Sequence, residues 1–154
     1  MAKIDVEQTF AVPAGLLYTT ICDMDSWSEW FSMHSEFVEK PPDKLRVNSR
    51  YIQVLQVMGM PFTVEFTVTE FRPPRELVLA GRGSAGMTCT FAFGVSRAPG
   101  PAGTTLAMTG EFESPMLNDQ LETVLVDTLS SQLTLSLERL AALARGRAAR
   151  KSAI

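Results

Sequence analysis

Between Phe62 and Phe112 the chain is interrupted at intervals by Pro or Gly, whereas from Asn118 to about Arg145 it contains neither. This contrast constrains the fold more than any other feature. In the interrupted part, "FTVEFTVTEF" (Phe62 to Phe71) puts Phe62, Val64, Phe66 and Val68 on one face and Thr63, Glu65, Thr67 and Thr69 on the other. Strict alternation of this kind marks a half-buried strand. Met87, Cys89, Phe91, Phe93 and Val95 repeat the pattern, as do Leu106, Met108, Gly110 and Phe112. In the uninterrupted part Val126, Leu129, Leu133, Leu137, Leu140 and Ala144 step by three or four, the stripe of an amphipathic helix. Asp119 with Glu122 reads as its capping pair and Gly146 as its stop. The helix would be ~40 Å long at ~1.5 Å per residue.

The remaining strands follow from the same alternation and from turn residues. Lys3 to Val12 alternates, with Ile4, Val6, Gln8, Phe10 and Val12 on one parity. Pro13 then opens a short helix with Leu16, Leu17, Thr20 and Ile21 on its buried side. In "DSWSEWFSMH" (Asp25 to His34), Ser26 and Glu29 match a capping box, so a second, very short helix is expected. Ser35 to Lys40 reads as an edge strand, Asn48 to Met58 as a strand, and Gly59-Met60-Pro61 as a turn. Glu76 to Arg82 is a short strand, Gly83 to Gly86 a turn, and "APGPAG" (Ala98 to Gly103) a loop. Short links between alternating segments imply an antiparallel meander. The order is therefore strand, two short helices, six strands and one long helix. A seven-stranded sheet twists, and it can bury its single apolar face by curling around that helix.

These elements account for one domain over residues 1–146, followed by a basic, frayed tail at 147–154 that carries Arg147, Arg150 and Lys151. Of 154 residues, 45% are apolar and 20% charged, a composition able to bury a full core. A net charge of −3 argues against a nucleic-acid surface, which needs a basic face. No signal peptide opens the chain and no apolar run spans a bilayer, so a cytoplasmic protein without stable membrane insertion is expected. There, Cys22 and Cys89 stay reduced. Two thiols and one imidazole give no metal-ligand spacing, and no cofactor is implied. Monomer and homodimer both remain open.

Three stretches carry a resemblance: the opening "KIDVEQTFAVPAGLLYTTICDMDSWSEW", then "FRPPRELVL", then "GTTLAMTGEF" leading into the long helix. In this order they resemble the helix-grip superfamily of START lipid-transfer domains, plant pathogenesis-related allergens and bacterial polyketide cyclase/dehydrase-like proteins. The resemblance implies an α+β helix-grip fold with a hydrophobic tunnel between sheet and helix. It also implies binding, transport or sensing of an apolar or amphipathic small molecule such as a lipid or polyketide. Two alternatives come with the same fold: a polyketide cyclase or dehydratase, and a protein–protein interaction module, for which the basic tail is the candidate contact.

The expected tunnel lining takes Val64, Phe66, Phe91, Met108 and Phe112 from the sheet and Leu121, Leu125, Thr128 and Gln132 from the long helix. Trp30 and Phe31 are expected to form an inner wall, Trp27 a rim, and His34 a hydrogen-bonding group. The bland alternative is that the aromatic side chains fill the space. An empty cavity of ~300 Å³ would cost several kcal/mol at ~24 cal/mol per Å³, so such a space tends to hold something or collapse. For chemistry, His34, Tyr51, Gln53, Arg82, Thr128 and Gln132 are the polar groups that could face inward. Glu70 is the one carboxylate on the Phe62 parity, near a strand end. Arg72 and Arg75 are expected in solvent. No Gly-x-Ser-x-Gly elbow or phosphate-binding loop is present, and no acid/base pair is set by spacing. The inventory suits orienting a ligand better than relaying a proton, and no catalytic residue is assigned.

Overall fold

The computed structural model describes residues 2–83, 86–98 and 103–152, with side chains of the last helix to residue 148. The Ser84–Ala85 turn, residues 99–102 of the "APGPAG" loop, and the Arg150 and Lys151 side chains lie outside the described residues. The elements are β1 (Ala2–Phe10), α1 (Ala14–Cys22), a 3-10 turn (Met24–Ser26), α2 (Trp27–Trp30) and β2 (His34–Glu39). They continue with β3 (Arg50–Val57), β4 (Met60–Arg72), β5 (Glu76–Gly83), β6 (Thr88–Arg97), β7 (Thr104–Glu113) and α3 (Asp119–Ser152). The sheet has seven strands in the order β1-β7-β6-β5-β4-β3-β2, every neighbour antiparallel. This is the α+β helix-grip architecture, a meander closed by the return of β1 beside β7.

Parity decides which face is buried. Val64, Phe66 and Val68 on β4, Phe91 and Phe93 on β6, and Leu106 and Met108 on β7 are all almost fully buried. Leu129, Leu133, Leu137, Leu140 and Ala144 of α3 meet them from the other side. Each such side chain contributes roughly 1.5–3 kcal/mol on burial. Gly81 allows this packing at one point: a Cβ there would lie 2.6 Å from Val64 Cγ1 and 2.7 Å from Phe66 Cε1.

Six expectations change, the first being the turn after β3, which is Met58-Gly59, with Met60 and Pro61 already in β4. The register slips by one residue between Val68 and Glu70 of β4, so Phe71 faces the core and Glu70, opposite Val78, turns outward. A bulge at that point inverts the parity read from the sequence. Arg82 likewise sits on the outer face, exposed, with Glu65 and Thr88 as its neighbours across the sheet. Ser26 makes no capping box: its buried hydroxyl lies 2.6 Å from the Asp23 carbonyl oxygen and accepts from Trp30 Nε1 at 3.1 Å. The N-cap of α3 is Asn118, whose Oδ1 accepts from the Leu121 N–H at 2.8 Å, one residue before the expected pair. Finally, α3 runs through Gly146 to Ser152. Arg147 Nη2 bonds Asp23 Oδ2 at 2.7 Å, and the Arg145 guanidinium sits 5.7 Å from the Phe10 ring centroid, so this end of the helix is held against α1 and β1.

A solvent-facing glycine inside a helix costs about 1 kcal/mol relative to alanine. A Cβ at Gly146 would meet nothing within 4 Å. Gly146→Ala is therefore expected to raise the unfolding free energy by up to about 1 kcal/mol, read from urea denaturation.

Candidate functional site: an apolar cavity and a buried polar pair

The stretch from Trp27 to His34 fills one part of the space between sheet and helix. Trp27 is 1% exposed, and its Nε1 donates to the Ile21 carbonyl at 2.9 Å, so it belongs to the core and not to a rim. Its ring lies 4.8 Å from both Trp30 and Phe31 and 5.8 Å from Phe93. Phe31 meets Phe91, Phe91 meets Phe66, and Phe66 stacks on Tyr51 at 5.4 Å. Such pairs favour the offset and edge-on geometries seen here. After α2, the Ser32 N–H donates to Ser136 Oγ at 3.0 Å and Ser32 Oγ to the Gln132 carbonyl at 3.1 Å, fastening this segment to α3.

Space remains at the end where α3 begins. An apolar cavity of about 380 Å³ lies between the start of α3, the β3–β4 hairpin and the ends of β6 and β7. Val57, Phe62, Met87, Phe112, Leu117 and Leu125 form its wall, and Met58, Met60, Met116 and Leu121 its lip. Met58, Met60, Met116 and Leu121 are 43%, 60%, 76% and 40% exposed, so the cavity opens to solvent through flexible apolar side chains. Met58 has φ +53°, a left-handed conformation that a residue with a Cβ adopts at a cost of roughly 1–2 kcal/mol. Phe112, Leu121 and Leu125 were expected around a ligand and all three line this cavity. Trp30, Phe31, Val64, Phe66, Phe91 and Met108 are instead packed in the core, and Thr128 and Gln132 are half-buried on α3 outside the cavity wall. The methionines of the lip were missed in the sequence. Their signal is weak: apolar residues at a hairpin tip and after Pro115, where polar ones are usual.

The polar groups form a second cluster. Tyr51 and Gln53 are fully buried on the inner face of β3. Tyr51 Oη and Gln53 Oε1 have no hydrogen-bond partner among the described residues. Gln53 Nε2 lies 2.7 Å from His34 Nδ1; with the amide in this orientation it donates to Nδ1, which requires the imidazole proton on Nε2. Turning the amide over would leave its nitrogen unpaired in place of its oxygen. The His34 ring packs on Phe37 at 4.6 Å, and Phe37 packs edge-on against Tyr51 at 5.7 Å.

Burial sets the protonation states. It lowers the His34 pKa below its ordinary value of 6.5 and raises the Tyr51 phenol well above 10.0. The Cys22 and Cys89 thiols are pushed up to about 11 and about 12, again by burial, so neither is a nucleophilic thiolate at neutral pH. Tyr18 is raised too, chiefly by burial, and its hydroxyl donates to the Glu76 carbonyl at 2.8 Å. Among the described residues no charged side chain is buried.

A sheet gripping one long helix, with an apolar cavity beside the start of that helix, defines the helix-grip fold. The chain belongs to the family described as polyketide cyclase / dehydrase and lipid transport, whose model matches residues 1–145. It is 22% identical over 138 residues to the toxin Rv0910 of Mycobacterium tuberculosis, covering 90% of this chain and 94% of that protein. Two solved structures show the same fold. The Zhui aromatase/cyclase of a Streptomyces species superposes with a TM-score of 0.78 at 13% identity, over 95% of this chain and 94% of its own. A START superfamily protein of Mycobacterium smegmatis superposes at 0.71 and 15% identity, over 93% and 99%. No helix among the described residues is long and apolar enough to cross a membrane.

A buried hydroxyl without a partner costs about 1–3 kcal/mol. Tyr51→Phe is therefore expected to stabilise the ligand-free protein by that order, seen as a higher denaturation midpoint; a lower midpoint would mean that the hydroxyl is satisfied. For His34, the folded pKa lies below the unfolded one, so the unfolded chain takes up the proton first. Its contribution is intact above about 6.5 and is lost as pH falls below that value. Urea midpoints at about pH 7.5 and about pH 5.5 should differ more in the parent protein than in His34→Gln.

Proposed function

We propose that the protein binds a hydrophobic or amphipathic small molecule in the cavity at the start of α3, as a carrier or sensor and without transforming it. The observation that carries this reading is the cavity of about 380 Å³ with an apolar wall and an exposed methionine lip. Ligand sites of small molecules have this size and lining. The strained backbone of Met58 supports it as well. A type I′-like hairpin tip favours Asn or Gly, and an exposed methionine held there at a cost points to a role at the mouth. Membership of a family that includes lipid transport agrees with it. Holding a ligand is favoured over a cyclase-type reaction because the one imidazole of the chain lies outside the cavity wall and its Nδ1 is already bonded to the Gln53 amide.

The test is titration with the uncharged fluorescent probe N-phenyl-1-naphthylamine. The parent protein should bind it. Leu121→Trp, which places an indole at the mouth, should weaken binding by about tenfold with little change in melting temperature. Met58→Asn should stabilise the fold by about 1 kcal/mol and also weaken binding, because it relieves the backbone and removes part of the lip. Absence of probe binding, or equal affinity in Leu121→Trp, would overturn the reading.

A further inference from the structure

The buried polar pair behind the cavity has a chemistry of its own. Val57, in the cavity wall, and Leu55, Gln53 and Tyr51 occupy one face of β3 in alternation. At ~3.3 Å per residue, Gln53 lies ~13 Å in from Val57 and Tyr51 farther still. Leu55, fully buried, stands between cavity and pair. We propose that Tyr51 and Gln53 are the polar terminus of the ligand site, and that the ligand they recognise is an apolar molecule ending in an uncharged hydroxyl. This rests on the ligand-binding reading above and adds the class of ligand.

Three observations lead there. With the amide in the orientation that bonds Nε2 to His34 at 2.7 Å, the atoms left without a partner are the Tyr51 hydroxyl and the Gln53 carbonyl oxygen, a donor and an acceptor. A hydroxyl both accepts and donates, so its chemistry matches both unpaired atoms; an ether or ketone oxygen only accepts and leaves the Gln53 carbonyl unpaired. Next, the surroundings hold no compensating charge. His34 is the titratable group beside the pair, and burial keeps it neutral. Cys89 and Tyr51 stay protonated, and no charged side chain is buried among the described residues. An ionised carboxylate brought here would be desolvated with no permanently charged side chain buried beside it among the described residues, which is more costly than burying a hydroxyl. Last, the covering side chains are apolar rings. Phe37 and Phe66 flank Tyr51, and the edge strand β2, which carries His34 and Phe37, pairs with β3 through two register shifts. A strand held by an interrupted ladder is the element that can yield when the polar end arrives.

The experiment is displacement of N-phenyl-1-naphthylamine by 1-decanol, by its methyl ether and by decanoate at neutral pH, from the parent protein and from Tyr51→Phe. The parent should bind the alcohol about tenfold more tightly than the ether and more tightly still than the carboxylate. Tyr51→Phe, which deletes one oxygen from a packed ring, should still bind the probe and should lose the preference for the alcohol. Equal affinities in the parent, as expected if the pair holds only a buried water, would overturn the hydroxyl proposal and leave the cavity reading standing. So would a preference that survives in Tyr51→Phe. A parent protein that binds neither probe nor any of the three compounds would overturn both.

Discussion

The ring contacts that run from Trp27 through Trp30, Phe31, Phe93, Phe91 and Phe66 to Tyr51 decide how much space is left between sheet and helix. A four-residue helix has no stability of its own. α2 exists because its two indoles are buried among these rings and because Ser32 is hydrogen-bonded to α3. Once α2 is seated, one part of the interior is full. α3 is then gripped along Leu129 to Ala144 and diverges from the sheet at its N-terminal turns, where Leu121 is exposed and Leu125 closes the cavity.

That division gives the interior two kinds of surface. Near the β3–β4 hairpin the lining is methionine, leucine and phenylalanine, suited to ligands of varied shape. Deeper along the same strand, Gln53 and Tyr51 bring polar atoms that are themselves cut off from solvent, where an unpaired donor or acceptor is expensive. Stability alone gives no reason to keep a tyrosine hydroxyl there. Together, an open apolar mouth and an unsatisfied polar interior fit a protein whose interior is completed by something it binds.

Most of the sheet was legible in the sequence, because side-chain direction in a strand has a period of two and this sheet buries one face only. The departures share one cause: a local pattern was answered by a distant neighbour. The slip between Val68 and Glu70 reverses a parity that looked continuous. Ser26, with the spacing of a cap, spends its hydroxyl on Asp23 and Trp30 instead. Gly146 does not end α3, because Arg147 and Arg145 on either side of it are held by Asp23 and Phe10. Of the residues expected around a ligand, Phe112, Leu121 and Leu125 share one cavity, while the inward parity of Phe66 and Phe91 said that they were buried but not whether they faced a ligand or each other.

By itself the sequence determined the order of elements, the buried face of the strands except beyond the slip in β4, and the stripe of the long helix. All of these depend on residues close together in the chain, through alternation, helical periodicity and turn chemistry. Only the tertiary structure decided that the tryptophans plug the interior, that the open cavity lies at the start of α3, and that His34 pairs with Gln53 next to an unpaired Tyr51. Those outcomes depend on how much volume side chains from different elements occupy when they meet, and volume is shared between elements in a way that no single stretch of sequence encodes.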